Sequence, residues 1–294
     1  VRERVGEQVV AEAAPARRAG GRARGGTAVS ESSGPAERIV RVNGEPHRVW
    51  EKGTGEPLGF LAGLGGLNAW TPFLDRLSES RRVIVPSLPG FPGAGPSHKL
   101  LDSLTDWIAA TLDLLEASGL DGCDLVGHSV GGMLAAECAA ISRSTVKHLV
   151  LIAPFGLFDE EEPVTDVWAR RANEIPALYS AKPDEFVAAR LTPPKNQTSD
   201  EATNWMVVQA RASEAAARLV WPIGDLGLAK RLHRITQPTL LVWGAEDRIV
   251  PASYAKRFAE RISGPTEIRT VAGAGHAVEF DEAGSAAEIV APRG

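Results

Sequence analysis

The sequence is poor in the residues that build cross-linked or metal-bound proteins. It contains only two cysteines among 294 residues, Cys123 and Cys138. Neither has the neighbouring cysteines or histidines that a structural metal site needs, so we expect no metal. The first precedes a predicted strand and the second lies on the helix after it, and both are predicted to be small buried side chains. This pattern favours a reducing, cytoplasmic setting over a disulfide-bonded one.

Long hydrophobic runs and an excess of positive charge are also absent. No uninterrupted apolar stretch reaches the length that spans a bilayer. The formal net charge of −5 provides no broad basic surface for a phosphate backbone. We therefore expect that the protein binds neither a membrane nor nucleic acid, and that its partner is a small molecule. We also expect the chain to be a monomer or a homodimer.

Short apolar runs that alternate with helical patterns dominate the chain after a biased N-terminal stretch. Residues 1–36 are rich in Ala, Gly, Arg and Glu without periodicity, which predicts a disordered tail. Eight strands are predicted at 39–42, 47–50, 58–61, 82–85, 124–126, 146–152, 239–243 and 268–271, and helices at 102–118, 130–142 and 252–262. This alternation predicts an α/β fold with a doubly wound, mostly parallel eight-stranded sheet.

The alternation stops between Phe155 and Ile235, where helical segments follow one another without a strand. This predicts a helical cap at 156–234, inserted into a core formed by 37–155 and 235–294. Trp168, Trp205 and Trp221 lie within it. Such large aromatic side chains either line an apolar substrate pocket or pack the helices together.

The segment Gly127-His128-Ser129-Val130-Gly131 follows an apolar run and precedes a helical pattern. A serine between glycines at a sharp strand-to-helix turn is typical of a nucleophile elbow, which presents its hydroxyl at the edge of the sheet. The alternative is an ordinary turn whose serine caps the helix.

A serine nucleophile needs a base, and the base needs an orienting acid. Asp247 follows the predicted strand 239–243 and is the proposed acid, with Glu246 as a rival and a turn or helix-cap role as the alternative. His276 follows the last predicted strand within a glycine-rich loop and is the proposed base, unless it is a capping or surface residue. His128 is not expected to fold back onto the adjacent Ser129.

The order Ser, Asp, His, with four matching segments, resembles the α/β-hydrolase superfamily, in particular its capped serine esterase and C–C hydrolase-like branch. The segments are 60–66, 88–91, 127–132 and 244–251 with 273–276 behind. The resemblance implies that the backbone N–H groups of Leu64 and Val130 form an oxyanion hole. Many relatives have a histidine where Ala62 stands, but donors supplied by the backbone do not depend on that side chain.

These features predict a carboxylesterase-type serine hydrolase that acts on a small or medium apolar ester, or a related carbonyl substrate, without a cofactor. A C–C bond hydrolase, a lactonase or a perhydrolase could use the same three residues. Arg170 and Arg171 would then be candidates for holding a substrate carboxylate, or else surface ion-pair residues. Acyl transfer to an alcohol or amine is a further alternative. An alternative of another class is a ligand receptor on a hydrolase fold with little turnover.

Overall fold

The computed structural model describes residues 34–291, in which eight strands form one sheet. The strands are β1 (Ala36–Val42), β2 (Glu45–Lys52), β3 (Pro57–Leu61), β4 (Arg82–Pro86), β5 (Cys123–His128), β6 (Val146–Ile152), β7 (Thr239–Gly244) and β8 (Thr266–Val271). Their order across the sheet is β1-β2-β4-β3-β5-β6-β7-β8. β2 is antiparallel to β1 and β4, and the other neighbouring pairs are parallel. The prediction of an eight-stranded, mostly parallel sheet is confirmed.

Local sequence explains both kinds of strand pairing. Asn43 and Gly44 have φ angles of 50° and 84°, the combination that a tight turn between β1 and β2 requires. In β6, Leu151 belongs to one hydrophobic cluster and its neighbour Ile152 to another. Because successive side chains of a strand point to opposite faces, apolar residues throughout the parallel strands bury the sheet on both sides.

Helices cover both faces of the sheet. The described α-helices are α1 (Pro72–Ser78), α2 (Leu104–Ser118), α3 (Ser129–Ile141), α4 (Ile175–Tyr179), α5 (Pro183–Phe186), α6 (Ser199–Val220), α7 (Tyr254–Ala259), α8 (Val278–Asp281) and α9 (Ala283–Val290). Side chains of α2 and α3 belong to one hydrophobic cluster, and those of α1 and α9 belong to the other. α7 is shorter than its predicted range of 252–262, because the chain after it turns so that Ser263 and Gly264 donate to the carbonyl of Ile235.

The chain between β6 and β7 contains helices and turns but no strand. We refer to residues 156–234 as the insertion. Its longest helix, α6, begins with a capping box, in which the Thr198 side chain accepts from the N–H of Glu201 and the Glu201 carboxylate accepts from the N–H of Thr198. The later turns of α6 bury Ala212, Ala215 and Leu219 in the cluster that also contains α3.

The predicted disordered tail lies outside the described residues except for 34–36, and Ala36 already belongs to β1. Within residues 34–291, no helix combines the length and the hydrophobic composition that a membrane span requires. Cys138 is buried on α3, and burial raises the pKa of its thiol, which keeps the thiol protonated and unreactive. Cys123 was predicted to be buried as well, but it is partly exposed because it is the first residue of β5.

Candidate active site

Ser129 lies at the turn between β5 and α3. Its φ angle is 57°, in the left-handed region that is uncommon for residues other than glycine. The adjacent glycines allow this tight packing, since a Cβ on Gly127 would lie 2.6 Å from the carbonyl oxygen of Gly131. A Cβ on Gly131 would in turn lie 2.4 Å from the carbonyl oxygen of Leu61. The backbone therefore fixes the serine hydroxyl at the carboxyl end of β5.

Two hydrogen bonds connect three side chains in a row, the first between Ser129 and His276 and the second between His276 and Asp247. The hydroxyl Oγ of Ser129 lies 2.8 Å from Nε2 of His276, and Nδ1 of the same ring lies 2.9 Å from Oδ2 of Asp247. In a neutral imidazole with this arrangement, Nδ1–H donates to the carboxylate and Nε2 accepts the hydroxyl hydrogen. Asp247 follows β7 and His276 follows β8, and the carboxyl ends of these parallel strands lie at the same edge of the sheet as that of β5.

Asp247 is held in one orientation by the backbone of its own loop. Its second oxygen, Oδ1, accepts from the N–H groups of Ile249 and Val250 at 2.8 and 3.0 Å. The side chains of Asp247 and His276 are both fully buried. Glu246, the rival acid in the sequence, is exposed. The structure therefore directs the carboxylate of Asp247, and not that of Glu246, to the imidazole.

The backbone N–H groups of Leu64 and Val130 lie close to Ser129. Val130 is the second residue of α3, where an N–H has no helical carbonyl to receive it. The N–H of Leu64, in the loop after β3, donates to no backbone carbonyl of residues 34–291. This loop packs directly on the serine, since a Cβ on Gly63 would lie 2.8 Å from the Cβ of Ser129. Leu64 and Val130 therefore flank the contact between this loop and the serine, and the N–H of Leu64 has no backbone acceptor within residues 34–291.

His128 makes a contact that sequence reasoning missed. Its ring does not turn toward Ser129; Nε2 lies 2.9 Å from the backbone carbonyl oxygen of His276. A carbonyl can only accept, so Nε2 carries the hydrogen. Burial lowers the pKa of His128, and the opposing effect of the Glu279 carboxylate is smaller, so the ring is neutral near pH 7. The side chain of His128, the residue before Ser129 in the sequence, therefore supports the loop that contains His276.

The insertion supports the other side of the same loop. The N–H of Ala277 donates to the carbonyl of Tyr179 at 2.7 Å, and the Tyr179 ring packs edge-on against the imidazole of His276 with 6.0 Å between centroids. The buried Asp281 accepts from the N–H of Gly275 at 2.7 Å and from that of Ala181 in the insertion at 3.0 Å. The position of His276 therefore depends on contacts with the insertion.

A largely apolar cavity of about 280 Å³ adjoins these residues. Its apolar wall includes Phe60, Leu64, Leu67, Ile175, Tyr179 and Phe186. Ser129 and His276 are fully buried, and their chain neighbours His128 and Ala277 line the cavity. The hydroxyl of Ser129 therefore lies behind the wall of the cavity and does not form part of that wall. In the part of the chain that the structure describes, no three His, Cys, Asp or Glu side chains are grouped so as to hold a metal ion.

The three tryptophans selected from the sequence occupy different places. Trp168 lines the cavity, and its indole N–H donates to Ser213 at 3.2 Å. Trp205 lines a neighbouring cavity of about 370 Å³. Trp221 is not brought to either cavity, because it ends α6 with 57% of its surface exposed and its indole donates to Asp166.

The model of the alpha/beta hydrolase family matches residues 60–291, and the chain belongs to this family. It is 27% identical to a 2-hydroxy-6-oxo-2,4-heptadienoate hydrolase of Pseudomonas putida, over 83% of this chain and 91% of the relative. It is 30% identical to the dihydrolipoyllysine-residue acetyltransferase component of an acetoin cleaving system of Pseudomonas putida, over 86% of this chain and 68% of the relative.

Solved structures show the same fold at lower identity. A serine hydrolase involved in carbazole degradation has a TM-score of 0.68 at 23% identity, and the match covers 86% of this chain and 96% of that one. The 2-hydroxy-6-oxo-6-phenylhexa-2,4-dienoate hydrolase of Rhodococcus sp. strain RHA1 has a TM-score of 0.68 at 16% identity, with 87% and 97% covered. The resemblance to α/β-hydrolases noted in the sequence is confirmed.

Proposed function

We propose that this chain is a serine hydrolase that cleaves a carboxylic ester through Ser129, His276 and Asp247. The observation that carries the proposal is the chain of hydrogen bonds, 2.8 Å from Ser129 to His276 and 2.9 Å from His276 to Asp247. A serine hydroxyl is a weak nucleophile at neutral pH until a base takes its proton. In this arrangement the base is already in contact with the hydroxyl.

The proposed reaction proceeds through an acyl-enzyme. His276 takes the proton of Ser129 while Oγ attacks the carbonyl carbon, and Asp247 stabilises the imidazolium that forms. The N–H groups of Leu64 and Val130 donate to the oxyanion of the tetrahedral intermediate. His276 then protonates the leaving alcohol, and the acyl group remains on Ser129. A water molecule that gives its proton to the same ring releases the carboxylic acid and restores the serine.

The cavity supports a small or medium substrate that is mostly apolar. Its volume of about 280 Å³ is close to the lower end of small-molecule sites, and aromatic and aliphatic side chains form most of its wall. We propose that the insertion acts as a cap, because its residues Trp168, Tyr179 and Phe186 form part of this wall. Trp168 is therefore proposed to contact substrate, whereas Trp221 has no part in the proposal.

A C–C bond hydrolase is the second candidate, and the names of the relatives favour it. A dienoate substrate such as those names describe carries a carboxylate, which a binding site has to neutralise. Arg170 and Arg171 are exposed and do not line the cavity. Among the described residues that line it, Arg190 carries the one permanent positive charge, and Glu279 lies against it. This balance of charge supports an ester over an anionic dienoate.

Labelling and turnover test the proposal together. An alkyl fluorophosphonate should add one phosphonyl group to Ser129, as mass spectrometry of the digested protein shows. Turnover of p-nitrophenyl esters of increasing acyl length should vanish in Ser129→Ala and persist in Ser263→Ala, a matched change at an exposed serine. Unchanged turnover in purified Ser129→Ala would exclude the proposed nucleophile. Faster cleavage of a dienoate than of any ester would favour the second candidate.

A further inference from the structure

The wall of the cavity contains a buried carboxylate with one oxygen that has no hydrogen-bond partner. Glu279 lies on α8, and its side chain is only 6% exposed although it lines the cavity. Its Oε1 lies 3.4 Å from the guanidinium of Arg190 and 3.5 Å from Nδ1 of His128. Its Oε2 is buried and has no hydrogen-bond partner among the described residues. We refer to Arg190, Glu279 and His128 as the polar corner.

A buried carboxylate oxygen without a hydrogen-bond partner favours the binding of a ligand that has a hydrogen-bond donor. Buried polar atoms in folded proteins nearly always have a partner, and a carboxylate oxygen without one loses its hydration without compensation. Glu279 lines the cavity, so a rotation of its carboxylate brings Oε2 to a molecule there, which can then supply the missing O–H or N–H.

Arg190 supplies donors at the same place. It lies in the π-helical turn Val187–Leu191 of the insertion, and its side chain is mostly buried. Within residues 34–291 its guanidinium donates only to Glu279, and it packs over the ring of Phe280 with 6.0 Å to the centroid. A guanidinium has five N–H donors, so most of them remain for a ligand. The polar corner thus offers an acceptor and several donors side by side.

The charges of the polar corner cancel. Arg190 is positive, Glu279 is negative, and burial keeps His128 neutral. A free carboxylate or ammonium group placed here would find no net charge to offset its desolvation. A hydroxyl or a primary amide has the matching donor and acceptor without that cost. We propose that the polar corner is a subsite for such an uncharged group on the substrate, with Glu279 accepting its O–H or N–H and Arg190 donating to its oxygen.

This proposal rests on the ester hydrolysis proposed above, and matched esters test it. The first set consists of p-nitrophenyl phenylacetates with a methyl, hydroxymethyl or carboxylate group at the para or meta position of the phenylacetate ring. The methylene between this ring and the carbonyl shields the reacting carbon from the electronic effect of the substituent. A second set places the same three groups on benzyl acetates. In at least one series we expect kcat/KM to be roughly tenfold higher for hydroxymethyl than for methyl, as one hydrogen bond to a charged group provides. The carboxylate should be the poorest of the three.

Variants separate the hydrogen bond from the charge. Glu279→Ala should abolish the preference for hydroxymethyl. Glu279→Gln keeps an acceptor but removes the negative charge, so it should retain part of that preference and improve the relative rate of the carboxylate ester. Glu288→Gln, at an exposed position of α9, is the matched control and should leave all ratios unchanged. Circular dichroism and melting temperature establish that each variant is folded.

Binding to Ser129→Ala distinguishes failure of the subsite from failure of the proposed reaction. This variant should bind the intact hydroxymethyl ester more tightly than the methyl ester in calorimetric titrations. If the wild type cleaves no ester while this difference persists, the proposed reaction is wrong and the subsite stands. If the wild type cleaves esters but hydroxymethyl and methyl are equivalent, or Glu279→Ala leaves their ratio unchanged, the subsite is refuted.

Discussion

Replacement of Asp247 by asparagine tests the proposed catalysis through the position of one proton. Oδ1 of Asp247 accepts two backbone N–H groups, those of Ile249 and Val250, while Oδ2 faces Nδ1 of His276 at 2.9 Å. In Asp247→Asn the amide oxygen must remain toward the two N–H groups. The reverse orientation would leave two buried donors facing an NH₂ group, at a cost of about 1–3 kcal/mol for each. The NH₂ group therefore turns toward His276.

This orientation inverts the tautomer of His276. With an NH₂ donor opposite Nδ1, the neutral ring carries its hydrogen on Nε2. Nε2 then donates to Oγ of Ser129 and cannot accept the serine proton. We expect kcat to fall by about a thousand- to ten-thousandfold, the effect of the wrong tautomer in a serine triad. The fold should persist, because the shape of the side chain is unchanged.

The assay is turnover of the best p-nitrophenyl ester by purified protein. Glu246→Gln is the matched control, since Glu246 is the adjacent acid and is exposed, and it should keep the wild-type kcat. A kcat for Asp247→Asn within about tenfold of the wild type would refute the tautomer argument. A larger loss in Glu246→Gln than in Asp247→Asn would transfer the role of the acid to Glu246.

Three further predictions concern stability. Arg231→Met removes two 2.6 Å hydrogen bonds to the fully buried carboxylate of Glu137, so the free energy of unfolding in urea should fall by about 3 kcal/mol. The double variant Glu137→Leu/Arg231→Met should recover most of this loss, and an equally unstable double variant would contradict the explanation. Asp281→Ala leaves two backbone N–H groups without their acceptor, so we expect a loss of about 2 kcal/mol and a reduced kcat, whereas wild-type values for both would refute its role. Burial lowers the pKa of His98 and His128, so the folded chain keeps them neutral while the unfolded chain protonates them. The free energy of unfolding should therefore fall as the pH drops below 6.5, and a value that is constant or higher at about pH 5.5 than at about pH 7.5 would contradict this.

The strands could be predicted because each is a short apolar run that the sheet buries on both sides. The predicted range 146–152 coincides with β6. The end of α7 could not be read in the same way. Its pattern continues to Ile262, but Ser263 and Gly264 bond to the carbonyl of Ile235. That contact joins the segment before β7 in the chain to a segment after it. The helical periodicity of the sequence contains no information about such a contact.

Ser129, Asp247 and His276 could be selected because each lies in the turn or loop that leaves a predicted strand and matches a motif of the family, and the structure places them within hydrogen-bond distance. No sequence motif indicated the polar side chains that surround these three residues. Arg190 and Glu279 are 89 residues apart in the chain and meet only because the insertion packs on α8. Trp221 was selected by residue type alone, and its exposure follows from its place at the end of α6.

The hydrogen bonds between the insertion and the loop of His276 limit how this protein can be recombined with its relatives. An insertion transplanted alone keeps the bond from Ala277 to Tyr179 and the bridge from Asp281 to Ala181 only if its backbone follows the same path there. We therefore expect a chimera to retain activity when segments 179–182 and 275–281 come from the same parent, which preserves this path. Under the proposed mechanism, the insertion both lines the substrate cavity and supports the loop of His276. An exchange that changes the range of substrates therefore also affects the position of the catalytic base.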